Sequence, residues 1–77
     1  MADEKASRMN EFKGEGRVPN ALRFGAKVID SKVESGKIDQ AKAEAFMAKL
    51  KACEATDVPE EQKIVGISQV IGAISSA

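Results

Sequence analysis

The sequence predicts an all-α fold: a small three-helix domain, an antiparallel helical hairpin plus a C-terminal helix, with a flexible or short-helical N-terminal arm. Three observations carry that expectation. Apolar residues recur every three or four positions in three separate segments, the spacing that gathers them on one side of a helix. The breaks between segments are short and contain glycine, proline and aspartate, the residues that stop and start helices. The chain has 77 residues and a single cysteine, so it makes one small domain that disulfides cannot staple.

Residues 1–19 read as the arm and 20–77 as the helical domain. "GEGRVP" at 14–19 has two glycines and a proline and marks a loop. Before it, "DEKASRMNEFK" can form a short helix with Met9 and Phe12 on one side. The arm either frays, as termini do, or docks through those two residues. Asn20, just after Pro19, is the expected N-cap of the first helix. Leu22, Ala26, Ile29 and Val33 form its apolar stripe, widened by Phe24 and Val28, with Arg23, Lys27, Asp30 and Glu34 on the wet side. Gly36 is a natural stop.

The second helix should start at Asp39, with Ile38 placed to staple onto Ala43. Its inner face is Ala43, Phe46, Met47, Leu50 and Cys53. Only Gly36, Lys37 and Ile38 part it from the first helix, and so short a link favours an antiparallel hairpin. In the third helix, Asp57 and Glu60 have capping-box spacing, and Pro59 suits a first turn. Ile64, Ile67, Val70, Ile71 and Ile74 then make one stripe. The density of β-branched residues there leaves a strand as the alternative for 64–71, but the apolar residues do not alternate.

The second and third helices show more than one face. Ala41, Ala45, Ala48, Ala52 and Ala55 are spaced as a heptad seam on the back of the second helix. Behind the isoleucine stripe lie Gly66, Gln69, Gly72, Ala73 and Ser76, with Val65 nearby, all uncharged. Alanine is also simply the best helix former, but an interior glycine costs about 1 kcal/mol against alanine and so suggests a close neighbour. A thin core adds to the argument, because oligomerisation is a usual remedy for a small scaffold. The expected oligomer interface is therefore Ala41, Ala45, Ala48, Ala52, Val65, Gly66, Gln69, Gly72 and Ala73. A two-fold homodimer is the simplest form, and a higher oligomer is open.

Composition narrows the function. Lysine plus arginine equals aspartate plus glutamate, twelve each, so bulk charge selects neither nucleic acid nor membrane. The final stretch "IVGISQVIGAISSA" carries no charge, but its fourteen residues fall short of the roughly twenty a spanning helix needs. Lys63 alone is poor provision for lying on a membrane. The polar N-terminus has no secretory h-region, which suits a cytoplasmic protein, in the host cytoplasm if viral. The chain has no histidine for general base work, and Cys53 falls on an apolar face. Asp30 and Glu34 are an i, i+4 carboxylate pair better read as a solvated face than as metal ligands. "GEG" lacks the Lys-Ser/Thr of a phosphate loop. Neither a catalytic site, a cofactor nor a metal is expected.

The favoured reading is a non-catalytic protein–protein interaction or self-assembly module, a small regulator or inhibitor comparable in size to phage-encoded inhibitors. A protein partner would meet Phe12, Arg17, Arg23, Phe24 and Lys27, since exposed phenylalanine and arginine anchor interfaces. Two alternatives stand beside it. Arg23, Lys27, Lys32 and Lys37 lie in the first helix and turn of a helix–turn–helix-like element, and Gln40 and Lys42 near the start of its second helix could read nucleic acid. An oligomer could also gather Arg17, Arg23 or Lys27 with Phe24 around a small phosphorylated ligand.

Overall fold

The computed structural model describes residues 8–77. It contains a short 3₁₀ turn, Arg8–Glu11, and three helices: α1 Arg17–Glu34, α2 Gln40–Ala55 and α3 Glu60–Ser76. Among the described residues no strand forms, so 64–71 is helical as favoured. Of the expected helix around Met9 and Phe12, the described part forms that one turn, and the part before Arg8 lies outside the described residues.

The helix starts are where the structure departs from expectation. Helix α1 begins at Arg17, three residues before Asn20, so Asn20 is not its N-cap and Arg17, Val18 and Pro19 belong to the helix and not to the arm. Gly16 takes that place, with φ 119° and ψ −179°, a conformation only glycine adopts without strain. Its carbonyl accepts the Asn20 N–H at 3.1 Å. Pro19 fits in the first turn because the N–H it lacks would have no intrahelical partner there. Helical geometry is disfavoured for Val18, just before proline. Val18 adopts it and packs half-buried against the core.

At its other end α1 stops as the sequence predicts. Gly36 turns left-handed at φ 78°, and its N–H bonds the Val33 carbonyl. The Lys37 N–H reaches back to the Lys32 carbonyl at 2.9 Å, which completes a Schellman stop. Asp39 caps α2 as expected, its carboxylate accepting the Lys42 N–H at 2.9 Å. The Asp57–Glu60 capping box does not form. Pro59, itself extended, is the N-cap of α3, and a following proline disfavours helical geometry at Val58, so the helix begins at Glu60 instead of just after Asp57. Glu60 and Glu61 still complement the positive end of the helix.

The buried core is Phe12, Leu22, Ala26, Ile29, Ile38, Ala43, Met47, Leu50, Ile67 and Ile74. Helix α1 is central and packs against α2, α3 and the 3₁₀ turn. Three contacts fix the direction of α3 along it. Arg17 and Glu60 approach to 4.0 Å at the two N-termini. The Lys32 ammonium donates to the Ser75 carbonyl at 2.9 Å at the two C-termini. Between them Gly25 sits against Ile71. Helices α1 and α3 are therefore parallel, and α2 returns between them. Lys63 near the start of α3 donates to the Glu54 carbonyl at the end of α2.

Candidate functional site

Helix α1 exposes Arg17, Asn20, Phe24, Lys27, Ser31 and Glu34, a stripe at alternating spacings of three and four. Phe24 stands in its middle and is 56% exposed, unlike every other phenylalanine of the chain. The next residue, Gly25, is buried and faces both neighbours: a Cβ there would meet the Leu50 Cδ1 at 3.1 Å and the Ile71 Cγ1 at 3.2 Å. Turning from Gly25 away from α2 leads past half-buried Ala21 and Val28 to Phe24. On α3 the same turn leads from Ile71 and Ile64 to Val65, also 56% exposed. Phe24 and Val65 are the exposed large apolar side chains among the described residues, and both rim the α1–α3 groove on the side away from α2.

The other residues expected to bind a partner separate. Arg17 and Lys27 are exposed on the same stripe as Phe24. Phe12 is only 2% exposed and belongs to the core, so it is not a surface anchor. The arm instead docks through Met9 and Phe12, with Met9 packed at the edge of the core. Arg23 turns toward that arm. Its guanidinium donates to the Phe12 carbonyl at 2.8 Å, the Gly14 carbonyl at 3.1 Å and the Asn20 Oδ1 at 2.5 Å. It fastens the arm and does not stand with Phe24.

The expected oligomer face also divides. Gly66 points at α2, where a Cβ would stand 3.3 Å from the Cys53 Sγ. Its small size serves packing within the chain, not an outside neighbour. Gly72 is the opposite case: a Cβ there would meet nothing within 4 Å. Gly72, Val65, Gln69 and Ala73 are exposed, as are Ala41, Ala45, Ala48 and Ala52 on the back of α2.

The alternatives gain little from the geometry. Gln40 accepts the Arg8 guanidinium at 2.6 Å, and Arg8 also pairs with Asp30, so one of the two expected readers is engaged within the chain while Lys42 is exposed. An open cleft of about 280 Å³ lies between the N-termini of α1 and α3, lined by Arg17 and Lys63 but equally by Glu15 and Glu60. Arg23, Lys27 and Phe24 do not line it, so the expected ligand cluster does not assemble in one chain. No group of metal-binding side chains occurs among the described residues. No described helix is long and apolar enough to cross a membrane. In comparisons with known proteins, the chain matches no family model, no curated protein and no solved structure.

Proposed function

We propose that this chain is a non-catalytic interaction module, a small regulator or inhibitor that works by binding another macromolecule or a further copy of itself through the outer face of α1. The observation that carries the reading is Phe24. Phe24 is 56% exposed in the middle of a helix stripe and Val65 is equally exposed across the groove, so one face carries an aromatic and an apolar side chain of the kind enriched at the centre of interfaces. The helix beneath it is held by two neighbours and the arm, so the face is presented without needing to fold on contact. Arg17 and Lys27 are exposed on the same stripe, and arginine is among the residues that anchor interfaces.

The test uses the immobilised protein to capture binding partners from native lysate, with Phe24→Ala beside the unaltered chain. Capture should be lost on Phe24→Ala, with the circular dichroism spectrum unchanged because the ring lies outside the core. Arg23 is left alone, since altering it would release the arm and confuse the result. Equal capture by both proteins would sink the assignment.

A further inference from the structure

Resting on that reading, we infer that the partner of the Phe24 face is a second copy of this chain, docked so that each Phe24 seats in a hole on the other copy's α3. The hole is made by Val65, Ser68, Gln69 and Gly72, at i, i+3, i+4 and i+7. That is the four-residue diamond which accepts one side chain in knobs-into-holes packing. All four residues are exposed and uncharged, and Gly72 has open space where a side chain would be.

Knob and hole share one face and one level. The three contacts along α1 and α3 pair Arg17 with Glu60, Gly25 with Ile71 and Lys32 with Ser75, so Phe24 lies beside the centre of the diamond. A two-fold axis running along the groove lays α1 of each copy over α3 of the other. Both knobs then meet both holes, the reciprocity an isologous interface requires.

The neighbours along the helices fit the same register. Arg17 is seven residues before Phe24, and Glu61 is seven before Ser68, so that Arg17 lies over the second copy's Glu61. Ser31, seven residues after Phe24, lies over Gly72, Ser75 and Ser76. Opposite charges thus meet at one end, an aromatic enters an uncharged hole in the middle, and small polar groups meet at the other. Two packed helices of this length, at about 1.5 Å per residue and 8–10 Å apart, present roughly 500 Å² in projection. With side-chain relief this approaches the ~800 Å² each partner contributes to a standard interface. The exposed alanine face of α2 has no such knob.

The test is sedimentation velocity in reductant, with the chain taken to about 100 μM and compared with Phe24→Ala and Gly72→Leu. Phe24→Ala removes the knob. Gly72→Leu fills the hole without touching its own chain, so thermal melting at or above that of the unaltered protein, with both diluted until they are monomers, shows that the fold is intact. The unaltered chain should sediment as a dimer, with dissociation constants raised about tenfold or more in both variants. A monomer throughout, or a dimer that survives either substitution, overturns the inference. A monomer that still captures another protein in a Phe24-dependent way overturns self-association and leaves the interaction module standing.

Discussion

At the residue scale, two aromatic side chains have exchanged the roles their surroundings in the sequence suggest. Phe12 lies in a charged arm yet is buried, and Phe24 lies in the middle of a helix yet is exposed. Phe12→Ala should cost about 3 kcal/mol in urea unfolding, the low end for phenylalanine truncation because the arm can relax into the space. Phe24→Ala should cost much less, since its ring is outside the core. Gly25 is the residue that periodicity misses entirely. Glycine carries no hydrophobic signal, but here its missing Cβ lets α1 meet Leu50 of α2 and Ile71 of α3. Gly25→Val should therefore destabilise by about 1–3 kcal/mol through overpacking, despite valine's better helix propensity, and thermal melting will read it. A melting point equal to that of the unaltered chain would mean that Leu50 and Ile71 move aside freely.

At the element scale, the inner faces were legible because a helix repeats its environment every three or four residues. Leu22, Ala26 and Ile29, Ala43, Met47 and Leu50, and Ile67 and Ile74 are buried where spacing places them. The starts were less legible, because one polar residue can serve more than one end. Asn20 looked like a cap and instead receives Arg23, while the actual cap is a glycine with no side chain to announce it. The interior glycines of α3 read alike in the sequence and differ in space: Gly66 fits Cys53, and Gly72 faces open space. That difference is testable. Gly72→Ala should stabilise the monomer by about 1 kcal/mol, the full propensity gain. Asp39→Ala should lose about 1 kcal/mol through the cap on Lys42. Chemical denaturation of both variants checks the pair of signs.

At the scale of the whole molecule, the arm and the helices are held by different forces. The three helices pack against one another through a shared apolar core, and Lys32 and Lys63 tie helix ends to neighbouring helices. The arm packs on α1 and is fastened largely by polar contacts: Arg8 with Asp30, Glu11 with Lys51 at 2.6 Å, and Arg23 with two arm carbonyls. Partly exposed ion pairs are weak, and among the described arm residues Phe12 alone is deeply buried. The arm should therefore open as a unit of its own while the helices stay folded. Arg23→Ala removes the two bonds to the arm carbonyls, leaves the Arg8 and Glu11 pairs, and does not touch the helix core. It should speed hydrogen exchange at the Phe12 N–H, which bonds the Met9 carbonyl at 3.1 Å, by about tenfold, the equivalent of ~1.4 kcal/mol. Amides within α2 and α3 should exchange as before. If they speed up by the same factor, arm and helices open together, and the arm is part of a single cooperative unit.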